Sequence, residues 1–250
     1  MTRVVVEQAG ARRTGASLRP TLASSARTLD ISVRFLAQSW LGRGNLASAQ
    51  YLLQGWAEDV FRYAHATLRV RGEENIEANT PYVVMSNHAS YIDIPALIAT
   101  YPGALRMVAK QELMQVPIWG RAMQASGFIP IDRRRRDKAI EQLEVAKQRL
   151  REGVAVWIAP EGTRSEGPVL GRFKKGGFHL AAQLSARILP AFIDGASTLM
   201  PKGRVRVHPG AEVTVTYGTP IPSGGDLAEE MANVRGAILG LAGGRLADAG

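Results

Sequence analysis

The chain has 250 residues, 46% of them hydrophobic, a formal net charge of +9 and no cysteine. That length suits one α/β domain with a helical extension better than two full domains, and the missing cysteine excludes disulfides, thiolate metal sites and a cysteine nucleophile and fits an intracellular compartment. The charge calls for an anionic partner, which can be nucleic acid, a phosphorylated substrate or a membrane surface.

Residues 1–28 carry Arg3, Arg12, Arg13, Arg19 and Arg27 among small residues. They lack a clear period and an apolar core of the secretory-signal type, so a flexible basic arm is expected. Residues 29–68 read as an amphipathic helical hairpin. Ile31, Phe35, Leu36 and Trp40 recur at helical spacing up to Gly42, and a second run continues through Leu52, Leu53, Trp56, Val60 and Leu68. Its outer face either packs on the core or, given its Trp and Tyr content, lies on a membrane surface. No apolar run reaches the roughly 18 to 20 residues of a spanning helix, so peripheral or monotopic attachment is the expectation. The GxGxxA string from Gly42 to Ala47 follows a helix rather than a strand, and reads as a turn instead of a dinucleotide site.

Residues 69–250 alternate strand-like and helix-like stretches. Strands are expected at Tyr82–Met85, Leu105–Ala109, Phe128–Ile131, Val154–Ile158, Ile188–Ile193, Val205–Val207 and Glu212–Tyr217. Helices are expected after Ser90, up to Ala125, over Arg134–Glu152 and Lys175–Ser185, and from Asp226 to about Leu241. The pattern predicts an α/β fold with a mostly parallel central sheet flanked by helices.

Asn87-His88-Ala89-Ser90-Tyr91-Ile92-Asp93 falls in the turn between a buried strand and a helix, where such folds present side chains to ligands. His88 and Asp93 are five positions apart and would diverge on one continuous helix. With Ser90 as N-cap, His88 sits on the incoming loop and Asp93 in the first turn, able to fold back to the ring. An imidazole of pKa near ~6.5 can take a proton, and a carboxylate on its other nitrogen fixes the tautomer. The plainer reading is a loop histidine capping a carbonyl beside an aspartate that favours a helix N-terminus.

Three later stretches place cations just after a strand. They are the region of Lys110, Gly127 to Arg133, and Pro160-Glu161-Gly162-Thr163-Arg164-Ser165. A guanidinium at a strand's edge suits bidentate grip of a phosphate. A carboxylate, a flexible glycine, hydroxyls and a second guanidinium suit a small polyol phosphate.

Taken in order with Asn87 to Asp93, these stretches resemble the 1-acylglycerol-3-phosphate O-acyltransferase family over roughly residues 68 to 220. That family's first motif is Asn-His with an aspartate after four intervening residues, matched by Asn87, His88 and Asp93. The second maps to Gly127–Arg133 with Lys110 upstream, the third to Pro160–Ser165 and the fourth to Ile188-Leu189-Pro190-Ala191. Ala159 stands where the family commonly has phenylalanine, and Pro130 interrupts the second motif's strand.

The resemblance implies transfer of an acyl group from a thioester, acyl-CoA or acyl carrier protein, to the free hydroxyl of lysophosphatidate, giving phosphatidate. His88 would be the base and Asp93 its orienter, with no bound cofactor. It assigns Lys110, Arg133 and Arg164 to the acceptor's phosphate, Glu161 to its glycerol hydroxyl region, and the Gly162–Thr163 turn to the same site. Other lysolipids or glycerol phosphate are alternative acceptors. The remaining cations, including Arg134 to Arg136, Lys138, Lys174 and Lys175, would face an anionic membrane on its cytoplasmic side or an acidic carrier.

Rival classes have less behind them. There is no nucleic-acid-binding motif and no G-x-S-x-G elbow; the Gly171–Gly177 string lacks the ending of a P-loop, and His88, His179 and His208 lack metal-ligand spacing. A non-catalytic membrane-surface protein is the rival of another class.

Overall fold

The computed structural model describes residues 2–7, 15–131 and 136–249, with side chains of 136–143 left aside. Along the chain run β1 (Thr2–Val6), α1 (Arg19–Trp40), α2 (Leu46–Tyr63), β2 (Thr67–Arg71), β3 (Val83–Ser86), α3 (Asp93–Thr100), β4 (Leu105–Lys110), α4 (Trp119–Ala125) and β5 (Ile129–Ile131). They are followed by α5 (Arg136–Arg151), β6 (Ala155–Ile158), β7 (Val169–Leu170), α6 (Gly176–Gln183), β8 (Ile188–Asp194), α7 (Ala196–Leu199), β9 (Glu212–Tyr217), α8 (Leu227–Ala242) and β10 (Ala247–Asp248).

Eight strands form one sheet in the order β1-β2-β9-β8-β3-β6-β4-β5. All neighbours run parallel except β1 with β2 and β8 with β9. The mostly parallel sheet expected from the alternation is therefore present, with a short two-stranded ribbon of β7 and β10 beside it.

Strand side chains alternate between two cores, as the period of two demands. Val84, Trp157 and Leu189 face a core with α1, α2 and α3, whereas Val83, Val156 and Ile188 face one with α5, α6 and α8. Both faces being covered, the central strands read as unbroken apolar runs. Full burial of each such side chain stabilises by roughly 1.5–3 kcal/mol relative to exposure.

The N-terminal expectations need correction. Residues 2–6, assigned to a flexible arm, form an edge strand that ends with Val6 buried, and Arg3 pairs with Glu73 through two hydrogen bonds of 2.8 and 2.6 Å. The run of β-branched Val4, Val5 and Val6 was the strand signal. The first helix starts twelve positions before Ile31, with Pro20 in its first turn. Its early turns are rich in hydroxyls that bond back to the preceding turn: Thr28 Oγ1 donates to Ser24 O (2.8 Å) and Ser32 Oγ to Thr28 O (2.7 Å). Arg12 and Arg13 lie outside the described residues.

The second helix stops at Tyr63, because His65 takes a left-handed φ of 46° and Ala66 N returns to Phe61 O at 3.0 Å. Leu68 belongs instead to β2, where Leu68 and Val70 alternate inward against Arg69 and Arg71. Val205–Val207 forms only a single bridge from Val207 to Ser17 rather than a strand.

The hairpin is tied internally and to the sheet. Asn45 and Ser48 make a reciprocal capping box at the start of α2. Arg27 Nε donates to Asp59 (2.8 Å), and Trp56 Nε1 to Thr28 Oγ1 (2.8 Å). Arg106, fully buried in β4, donates to Ser126 O (2.6 Å), Gln50 Oε1 (2.7 Å), its neighbour Leu105 O (2.8 Å) and Leu46 O (3.2 Å), binding α2 and α4 to the sheet without a carboxylate. Burial, and then the nearby positive Arg149, push its pKa down to about 10.

Candidate active site

His88 stands just beyond the C-terminal end of β3, the central strand flanked by β6 and β8, where open α/β sheets place ligands. Its loop is fixed from below. Asn87 extends the β3–β8 ladder through its side chain, donating to Ile193 O (2.9 Å) and accepting from Ile193 N (2.8 Å). The His88 ring meets Trp157 of β6 edge to face, with centroids 5.2 Å apart, and Trp157 Nε1 donates to Ser86 Oγ (3.0 Å).

Asp93 is fully buried, and its Oδ2 lies 2.7 Å from His88 Nδ1. The same oxygen accepts from Ala89 N (2.8 Å) and Ser90 N (2.9 Å), so it acts as an acceptor and Nδ1 carries the hydrogen. His88 lines a cavity, and Nε2 is the ring nitrogen left for chemistry there. The dyad read from spacing is thus assembled, but not by the expected cap. Ser90 is not the N-cap of α3; that position is Ile92, which offers no side-chain cap. Its Oγ instead donates to Met200 O (2.7 Å) and accepts from Ile92 N (3.1 Å), pinning the loop to the segment after α7.

The cavity measures about 760 Å³ and runs from His88 between α1, α2 and the sheet. Ile31, Phe35, Leu53, Trp56, Met107 and Phe128 give it an apolar wall. Lys110, Thr163 and Arg164 stand on the same lining as His88. Lys110 ends β4 and its Nζ lies 3.0 Å from Glu112. The Arg164 guanidinium lies over the ring of Tyr91, 3.9 Å from its centre.

Glu161 sits differently from the hydroxyl-binding place expected for it. It is buried and absent from the cavity lining; its carboxylate accepts from His88 N (3.3 Å), Gly171 N (2.8 Å) and the Ser165 hydroxyl. With Ser165 N donating to His88 O (2.7 Å), Glu161 joins the histidine loop to its own. Gly162 lies in the same turn. It has φ +73°, and a Cβ there would fall 2.8–2.9 Å from the side chain of Lys174. Arg133 lies outside the described residues, as do Arg134 and Arg135.

Sequence reasoning missed Trp157, Ser86 and Tyr91 as parts of the site. Tyr91 could have been found, since it lies inside the first motif on the same loop as His88. Among the described residues no cluster of His, Asp and Glu has the geometry of a metal site, and no helix is long and apolar enough to cross a membrane.

A family model described as Acyltransferase matches residues 67–194, just over half the chain. The chain is 36% identical over 159 residues to 1-acyl-sn-glycerol-3-phosphate acyltransferase alpha of Homo sapiens, covering 63% of this chain and 56% of that protein. It is 39% identical over 136 residues to the 1-acyl-sn-glycerol-3-phosphate acyltransferase of Saccharomyces cerevisiae, covering 53% and 45%. It thus spans about half the length of the curated relatives it matches. The solved structure of the 1-acyl-sn-glycerophosphate acyltransferase PlsC from Thermotoga maritima superposes with a TM-score of 0.76 at 25% identity, over 90% of this chain and 94% of that one. The matched region runs from β2 to the end of β8 and holds the His88–Asp93 dyad and the Glu161–Arg164 turn together: this chain belongs to the acyltransferase family.

Proposed function

We propose that the protein transfers a fatty acyl group from a thioester to the free hydroxyl of lysophosphatidate, forming phosphatidate. The observation that carries this reading is a His–Asp dyad whose histidine lines a largely apolar cavity of about 760 Å³, with Lys110 and Arg164 on the same lining. Relatives named for 1-acylglycerol-3-phosphate support the acceptor.

His88 Nε2 takes the proton of the acceptor hydroxyl as its oxygen attacks the thioester carbonyl. Asp93 holds the ring and favours the imidazolium that forms. As the tetrahedral intermediate collapses, the carbon–sulfur bond breaks, the new ester keeps the acyl group, and the imidazolium returns its proton to the departing thiolate. Lys110 and Arg164 hold the acceptor's phosphate, with Arg133 as a further contributor; Thr163 offers a hydroxyl on the same lining. Glu161 and Gly162 act through the loop they shape.

The cavity wall of α1 and α2 receives an acyl chain, and the same hairpin docks on an anionic membrane surface from the cytoplasmic side. Exposed Trp40, Leu41, Leu22 and Tyr51 on the hairpin support that docking. The donor is acyl-CoA or acyl carrier protein, and no bound cofactor is needed for this chemistry. The test offers purified protein a long-chain acyl-CoA or acyl carrier protein with lysophosphatidate, lysophosphatidylcholine or monoacylglycerol, and reads products by mass spectrometry. Phosphatidate as the dominant product is expected. Equal acylation of monoacylglycerol would remove the phosphate from the account.

A further inference from the structure

Arg164 is half-buried on the cavity lining, and among the described residues no carboxylate pairs with it. Lys110, by contrast, lies 3.0 Å from Glu112, which offsets part of its charge. What holds Arg164 is the Tyr91 ring, with the guanidinium carbon 3.9 Å from the ring centre. A guanidinium held over an aromatic ring keeps its charge, and the contact occupies none of its five N–H donors with an acceptor. A carboxylate in the same place would occupy two of those donors and compete with an incoming phosphate.

Position adds to this. Tyr91 lies three residues after His88 on one loop, and Arg164 lies on the other; Ser165 N ties the two loops together through His88 O at 2.7 Å. The stack therefore spans the two loops beside the base and fixes where a phosphate would sit relative to Nε2. Tyr91 is 53% exposed, too open to be explained by core packing.

We infer that Tyr91 is a positioning residue for the acceptor's phosphate, holding the Arg164 guanidinium by its ring face so that the phosphate is gripped at a fixed distance from His88. The inference rests on the acyl-transfer reading for its acceptor, and it names a residue that acts through another rather than on the reacting atoms.

The test is a cycle of wild type, Tyr91→Leu, Arg164→Ala and the double variant, with Tyr91→Phe alongside. Equilibrium binding of lysophosphatidate in detergent micelles is measured first, with monoacylglycerol as the phosphate-free control, and then acylation kinetics. Tyr91→Leu is expected to weaken lysophosphatidate binding and raise its KM by about three- to tenfold, with kcat, acyl-donor KM and monoacylglycerol binding little changed. Tyr91→Phe, which keeps the ring face, restores binding to within about twofold of wild type. In the Arg164→Ala background Tyr91→Leu adds nothing, since the two act as one unit.

Equal losses from Tyr91→Leu in both backgrounds, or a Tyr91→Phe as weak as Tyr91→Leu, would overturn the inference and leave acyl transfer standing. Lysophosphatidate bound with a coupled cycle but never acylated would sink the acyl-transfer reading and keep the clamp. Wild type that binds lysophosphatidate no better than monoacylglycerol would overturn both.

Discussion

The histidine loop and the helical hairpin face each other across one cavity, and they are built on opposite principles. In the loop, most polar groups are committed: Asn87 to β8, Asp93 Oδ2 to three donors, Glu161 to three more and Ser90 to Met200, while the buried Asp93 Oδ1 has no partner among the described residues. The hairpin's wall sets the apolar side chains of Ile31, Phe35, Leu52, Leu53, Trp56 and Val60 beside a row of α1 hydroxyls bonded mostly within the helices, and it leaves Trp40 87% exposed. Proton transfer needs atoms held within hydrogen-bond reach, whereas an acyl chain or a lipid surface needs area and tolerates displacement. The same fold supplies both by taking one from strand ends and the other from an added helix pair.

The sharpest break on the loop side is Asp93→Asn, which keeps the shape but loses the carboxylate that orients the ring. Turnover is expected to fall by about 10²–10⁴-fold with an unchanged circular dichroism spectrum. Retained activity would mean that Asp93 only shapes the loop.

Next comes Glu161→Ala. It strands the Gly171 and His88 amides and the Ser165 hydroxyl, so a loss of about 1–3 kcal/mol in denaturant unfolding should accompany slower turnover. A stable but inactive variant would return Glu161 to direct substrate contact.

On the hairpin side, Trp40→Ala should leave stability within about 0.5 kcal/mol. Cosedimentation with anionic vesicles should weaken by at least about threefold. Unchanged vesicle binding would move the membrane contact elsewhere.

The smallest effect concerns the core shared by α3 and β9. Burial raises the Tyr217 and Tyr101 hydroxyls well above the usual phenol range, and Tyr217 meets Thr100 at 2.9 Å. Raised folded-state values mean that this stability is fully present below pH ~10 and is lost as pH rises beyond it. Replacing both tyrosines by phenylalanine should flatten the alkaline limb of a melting-temperature profile, while leaving the neutral region lower by the lost hydrogen bond.

The sheet and the dyad were legible in the sequence because each rests on short-range pattern. Apolar runs marked β3, β4, β6 and β8, and the spacing of His88 and Asp93 forced one of them off the helix. Ser90 was misassigned because its hydroxyl is taken by Met200, more than a hundred residues away, and no local rule reports such a partner. Glu161 looked like a ligand-facing carboxylate for a related reason, since one of the amides it accepts from, His88 N, lies 73 residues away on the histidine loop. The strand at Thr2–Val6 had a local signal in its three valines, but the surrounding arginines outweighed it, and the partner of Arg3, Glu73, is 70 residues away; the early turns of α1 lacked an apolar period because hydroxyls occupy them.

The most direct test of the account is phosphatidate formation by wild type and His88→Ala, with lysophosphatidate and the acyl donor that supports turnover, read by mass spectrometry at matched folded concentration. Phosphatidate from wild type, falling by about 10²–10⁴-fold in a variant that melts normally, is the predicted result. Equal product from the two proteins would contradict His88 as the base on which the site is built.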